Sequence, residues 1–219
     1  MAAGPRGRLL NELYCRLWEA CGPQGWWPGD TPFEVAVGAI LTQNTNWANV
    51  ARAIQVLKDR ELLTPAALQD LPEAELAALI RPAGYFNIKA RRLKNLLDFL
   101  EREFANSIEQ MAAAELEDLR PALLAVKGIG PETADSILLY ALAKPTFVVD
   151  AYTFRILNRH GLIAEACAYE ELRQWFMDHL PPQVPLYQEY HALLVRLGKE
   201  WCRPQPRCDA CPLAGWPEE

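Results

Sequence analysis

The sequence predicts an all-α protein. Three observations carry that expectation. Apolar residues recur at helical spacing along almost the whole chain, prolines and glycines fall at the ends of the periodic stretches, and the strand signal is confined to Thr146–Val149, too short to build a sheet. Leu9, Leu10, Leu13, Tyr14, Leu17 and Trp18 share one face of a first helix. The run Gly22-Pro23-Gln24-Gly25 ends it, and after Pro28-Gly29 a second helix extends from about Phe33 through Leu41. Further apolar stripes lie at 47–57, 65–69, 73–80, 88–104 and 115–125, with Pro65, Pro72 and Pro82 at the breaks, as several short packed helices require. Residues 123–144 read as helix, Gly-Ile-Gly hairpin and helix, and a short extended run then leads to Asp150. No internal repeat or low-complexity tract interrupts the pattern.

A chain of 219 residues that is 51% hydrophobic can bury a real core, as one domain or two small ones. A net charge of −6 argues against generic coating of DNA, but DNA binding needs only a local basic face. Basic residues do cluster, at Lys89, Arg91, Arg92 and Lys94 and again at Lys199, Arg203 and Arg207. No apolar run approaches the roughly 20 residues that span a bilayer. The opening MAAGPRGRLLNELY turns polar too soon for a secretory signal. The expected setting is the cytoplasm, where the six cysteines serve as thiols or ligands rather than disulfides. Cys15, Cys21 and Cys167 read as small apolar fillers. Cys202, Cys208 and Cys211 form C-x5-C-x2-C with Pro204, Pro206 and Pro212 among them, which suits a metal or cluster better than a core.

The hairpin places Lys127 before Gly128, Ile129 and Gly130, and Pro131 after them. Glycine allows a tight turn and close approach to a ligand. Pro131 suits the first position of the next helix, where its missing N–H leaves nothing unpaired. Free N–H groups at a helix start, beside a lysine, suit a phosphate. Asp150 ends the apolar run Phe147-Val148-Val149, where a carboxylate needs stabilisation. Both features have plainer readings: a G-x-G between helices is often only a turn, and Asp150 could cap the segment Tyr152–Arg159. The polar run in Gly38–Trp47, GAILTQNTNW, could likewise cap a helix through Asn44, Thr45 and Asn46. Trp26, Trp27 and Trp47 are of a type usually found in cores. Their places on a Gly/Pro-rich loop and directly after the polar run also suit stacking on a base.

In order and spacing, LLAVKGIGPETADSILLYALAKPTFVVDAYTFR at 123–155 resembles the helix-hairpin-helix glycosylase superfamily, whose members include endonuclease III and the adenine glycosylases. The resemblance covers nearly the whole chain and implies a two-domain fold. A central six-helix block at 32–142 would carry the helix-hairpin-helix motif (123–144), and 1–31 with 143–219 would form a terminal helical domain ending in the cysteine loop. DNA would lie across the cleft, with Asp150 at the junction. The resemblance implies that the hairpin around Lys127, Gly128 and Gly130 binds a phosphate and that Asp150 is the essential carboxylate. Gln43 would fill the gap left by a nucleotide rotated out of the stack. Bifunctional members attack the sugar with a lysine two residues after the hairpin. Glu132 stands there and cannot form an imine, so water becomes the nucleophile and Asp150 its base or electrostatic support.

The same run, with ILTQNTNW, the double tryptophan upstream and RPAGYFNIKARRL at 81–93, looks like the 3-methyladenine glycosylase branch. The implied substrates are alkylated purines, held by Trp26, Trp27, Trp47 and Glu132. A cationic base gains ~1–2 kcal/mol over a desolvated aromatic face and needs little acid assistance to leave. Endonuclease III relatives bind a [4Fe-4S] cluster with C-x6-C-x2-C-x5-C. Here the first gap is one residue shorter, and Pro217 stands where the fourth cysteine would fall. The expectation is a [4Fe-4S] cluster on Cys202, Cys208 and Cys211 with an unidentified fourth ligand, zinc or no metal being the alternatives. Arg203 and Arg207 on that loop could reach phosphates. The expected partner is duplex DNA with a damaged base, bound by a monomer without a membrane. Other readings are a glycosylase for uracil or thymine mismatches, adenine mismatches or oxidised bases, a non-catalytic DNA-binding module, and a redox or metal-storage protein.

Overall fold

The computed structural model describes residues 4–217, and every regular element among them is helical. In chain order the α-helices are α1 (Pro5–Cys21), α2 (Pro32–Leu41), α3 (Trp47–Lys58), α4 (Pro65–Asp70), α5 (Glu73–Leu79), α6 (Phe86–Phe104), α7 (Ile108–Ala113), α8 (Leu116–Ala125), α9 (Pro131–Ser136, continued by a π-helical turn at Ile137–Ala141), α10 (Ala151–Arg159), α11 (Tyr169–His179) and α12 (Val184–Glu200), with short 3-10 turns at Arg81–Ala83 and Cys208–Ala210. They form two compact units, one of Trp27–Lys144 and the other of the residues up to Trp26 with those from Pro145 onward. The first unit begins before the expected position 32 because the Trp27 ring packs within it, against Trp47 and Tyr140.

Local chemistry sets the helix starts of the first unit. The side-chain oxygens of Thr31, Asn46, Thr64 and Ser107 accept backbone N–H groups in the first turns of α2, α3, α4 and α7. Pro32, Pro65 and Pro131 occupy first-turn positions where no N–H is needed. α2 is buried along its whole length from Phe33 to Leu41, which makes it the central helix of this core. Its last turn would leave orphan carbonyls. Lys89 of α6 answers this: fully buried, it donates from Nζ to Leu41 O and Ala83 O, each at 2.8 Å. Burial, and then the charge of Arg92, lower its pKa to about 8.

The expected basic face at 89–94 does not form. Each of the four side chains is taken up by a different neighbour: Lys89 by the carbonyls of Leu41 and Ala83. Lys94 donates to the carbonyls ending α4, Arg91 meets Glu73, and Arg92 binds Gln43. Between α8 and α9, Arg120 and the fully buried Asp135 form a two-pronged pair at 2.8 and 2.9 Å that clamps the hairpin's two helices together.

The second unit is built around stacked rings. Phe147 lies flat on Phe176 at 4.0 Å, and Tyr187 and Tyr190 meet it edge-on. The apolar run Thr146–Val149 is thus buried without belonging to any regular element. α10 packs on α12, where the side chain of Tyr152 covers Gly198. Arg155 donates to Gly198 O and Cys202 O, and Arg159 to the carbonyls of Arg203 and Pro204, closing the C-terminal end of α12. The apolar stripes do not delimit α7, α11 or α12. The buried face of α12 is made partly of Tyr187, Tyr190, His191 and Gly198, polar or small types that blur the period.

Candidate active site

Asp150 follows the buried Phe147-Val148-Val149 run directly and is the N-cap of α10. Its Oδ1 accepts from Thr153 N at 2.7 Å and from the Thr153 hydroxyl at 2.8 Å. The plainer reading of this aspartate, a helix cap, is therefore realised. It uses one oxygen only. The other, Oδ2, faces Nε2 of His191 on α12 at 3.7 Å, and the two side chains are 9% and 7% exposed. Burial pushes the carboxyl up. His191 and then the Thr153 donors outweigh that and hold it below the ordinary aspartate value. The result is a carboxylate kept charged in a nearly water-free setting. A lone histidine 41 positions downstream of Asp150 carries no signal in the sequence.

The hairpin is held by its buried Ile129, which leaves Lys127, Gly128 and Gly130 exposed. Its two glycines are not equivalent. Gly128 has φ +96, and a Cβ there would press on Arg92, with Cδ and Nε at 3.0 Å. Gly130 has φ −92 and open space around it. Gln43, just past α2, donates to Gly128 O at 3.1 Å and to Thr133 Oγ1 at 2.8 Å, and its amide oxygen accepts from Arg92. Asn95 donates to Lys127 O at 2.7 Å. Gln43 is thus joined to the hairpin itself, and Arg92 and Asn95 are partners that only the fold reveals.

Of the three tryptophans, Trp27 and Trp47 come together edge to face at 5.5 Å in the first unit, half-buried against its core, with Tyr140 beside them. Gly38 of α2 makes room for the Trp27 indole, its would-be Cβ lying 3.0 Å from Nε1. Trp26 belongs to the second unit. There it lines a pocket with Arg196, Lys199 and Glu200, and the Lys199 ammonium lies over its ring at 5.7 Å. Neighbours in an extended loop point to opposite sides, so one dipeptide serves two surfaces. Glu132 is exposed in the first turn of α9.

The cysteine loop follows the C-terminal end of α12. Cys202 is buried and accepts from Arg159 at 3.4 Å, Cys211 accepts from Leu213 N at 3.5 Å, and Cys208 is exposed. Among the described residues no three His, Cys, Asp or Glu side chains are grouped as a metal site. Burial pushes the Cys211 thiol up, and Cys202 and Cys208 push it further. As placed, the thiols do not fit a four-thiolate cluster. Arg159, through its bonds to Cys202, Arg203 and Pro204, ties the loop to α10. Arg203 donates to Lys199 O, and Arg207 is exposed.

Comparison with known proteins identifies the family and the fold. Residues 37–182 match the family model described as the HhH-GPD superfamily base excision DNA repair protein. A protein of Methanocaldococcus jannaschii, provisionally named a DNA repair glycosylase, is 47% identical over 207 residues, 94% of each chain. The structure of an H. pylori 3-methyladenine DNA glycosylase bound to 1,N6-ethenoadenine is 30% identical, with a TM-score of 0.77 over 90% of this chain and 98% of that one. An endonuclease III trapped as a covalent intermediate on DNA shares the fold, with a TM-score of 0.80 and 22% identity over 94% and 93% of the two chains. The chain belongs to the HhH-GPD superfamily of base excision DNA repair proteins, a family of DNA glycosylases.

Proposed function

We propose that this protein is a monofunctional glycosylase that hydrolyses the N-glycosidic bond of alkylated purines, of the 3-methyladenine type, flipped out of duplex DNA. The observation that carries the reading is Asp150, a charged carboxylate in an almost sealed setting with one oxygen outside the helix cap. In the reaction it takes a proton from water as the water oxygen bonds to C1′ of the sugar, and the bond electrons leave with the base. An N3-alkylated adenine carries a positive charge, so it departs neutral without being protonated. Its charge also suits the faces of Trp27 and Trp47, while exposed Glu132 adds attraction. Glu132 occupies the place from which lysine-using relatives form their imine, which supports hydrolysis without strand cleavage. Lys127, Gly128 and Gly130 hold a backbone phosphate, Gln43 fills the vacated stack, and Arg203 and Arg207 meet further phosphates. The likeness to the H. pylori 3-methyladenine enzyme favours this substrate class. No step passes through a metal or cluster.

The test is a panel of duplexes, each with one lesion, given to the wild type and to Asp150→Asn. Release of methylated adenine is expected from the wild type, and a loss of about 10²-fold or more from the variant with DNA binding kept. Excision of a different lesion alone would overturn the substrate, and a borohydride-trapped protein–DNA adduct would overturn the monofunctional mechanism.

A further inference from the structure

We propose that His191 is a positioning residue for Asp150, its Nε2 fixing the carboxylate oxygen that the helix cap leaves over. The inference rests on the glycosylase reading of Asp150 and deepens it.

The argument begins with placement. α12 turns Tyr187, Tyr190 and Leu194, all fully buried, toward the core of its unit, and His191 sits among them at 6% exposure. A buried imidazole loses water on both ring nitrogens, a cost that a leucine would avoid. Its ring here is aimed at the carboxylate, with Nε2 3.7 Å from Asp150 Oδ2. That separation is longer than a formed hydrogen bond, so closing it takes a movement of about 0.7 Å. Oδ1 already receives two donors from Thr153. Those donors engage Oδ1 alone, as part of the helix cap, and put no proton donor on Oδ2. The histidine on α12, once its Nε2 closes to hydrogen-bond distance, holds Oδ2 from a second helix. A group poised in this way also keeps the buried carboxyl charged, since the imidazole is the largest influence opposing its burial.

A histidine merely packed in the core would make different predictions. His191→Phe keeps a flat ring and removes the nitrogen, and His191→Gln keeps a donor near the place of Nε2. Both are compared with the wild type and Asp150→Asn in single-turnover release of the methylated base. Duplex affinity and melting temperature are measured on the same preparations. His191→Phe is expected to lower the release rate about 10- to 100-fold with affinity unchanged, a part of the 10²- to 10⁴-fold that a base contributes. His191→Gln is expected to recover most of that loss. Joined to Asp150→Asn, His191→Phe should add nothing, because a residue acting through another has no effect once that other is gone. Two results would overturn the inference: His191→Phe working at the wild-type rate, or Phe and Gln variants falling together in step with their melting temperatures. A wild type that frees no base from any duplex would instead sink the glycosylase reading and take this one with it.

Discussion

Gly198→Ala sets two physical effects of opposite sign against each other. Gly198 lies inside α12, where helix propensity alone makes alanine about 1 kcal/mol better than glycine. The structure opposes this. A methyl at Gly198 would stand 2.7 Å from Cβ and Cγ of Tyr152 and closer still to Cδ1. Carbon atoms rest at about 3.5 Å or more, so the helices must part by about 0.8 Å. Tyr152 Cβ is anchored to the α10 backbone, so a rotamer change cannot relieve the clash and α10 itself must move. Such overpacking costs about 1–3 kcal/mol. The movement also stretches the bonds from Arg155 to Gly198 O and Cys202 O, now 3.1 and 2.7 Å, each worth about 1 kcal/mol. Against the propensity gain, the net is a destabilisation of about 2 kcal/mol, or ~4–8 °C in melting temperature for a chain of this size. Base release should fall as well, because Asp150 starts the displaced helix. Calorimetric melts and urea midpoints of the two proteins decide the matter. If Gly198→Ala melts at or above the wild type, propensity has won and the packing argument is wrong.

The two hairpin glycines should part company. Gly128→Ala places a side chain at φ +96 against Arg92 and is expected to cost about 2 kcal/mol, while Gly130→Ala, in open space at an ordinary φ, should be neutral or stabilise by ~0.5 kcal/mol. Equal urea midpoints for the two variants would refute this. Lys89 predicts a pH effect. Its folded pKa is about 8 against an ordinary 10.5, so between those values the unfolded chain holds the proton and the folded chain does not. Raising the pH through that window should therefore stabilise the wild type relative to Lys89→Met, with a constant gap below pH 8. Urea midpoints of both proteins at pH 7 and pH 9.5 measure it, and an unchanging gap would show that Lys89 is not desolvated. Asp150 works in the opposite range: its lowered pKa gives stability that is complete above the ordinary value of 3.8 and lost as pH falls through the folded value. Asp150→Asn should lack that acid loss when the two are melted between pH 5 and pH 3.

Sequence alone carried the all-α class, the starts of most helices in the first unit and the place of Asp150 at the head of α10. These depend on neighbours a few residues away: caps, prolines and a 3.6-residue period. Tertiary structure decided the rest. It separated Trp26 from Trp27 and turned a run of basic residues into helix-end donors and a partner for Gln43. It alone brought His191 to Asp150 across 41 residues. Charge, hydrogen bonding and packing act over a few ångströms of space, and separation along the chain does not record that distance.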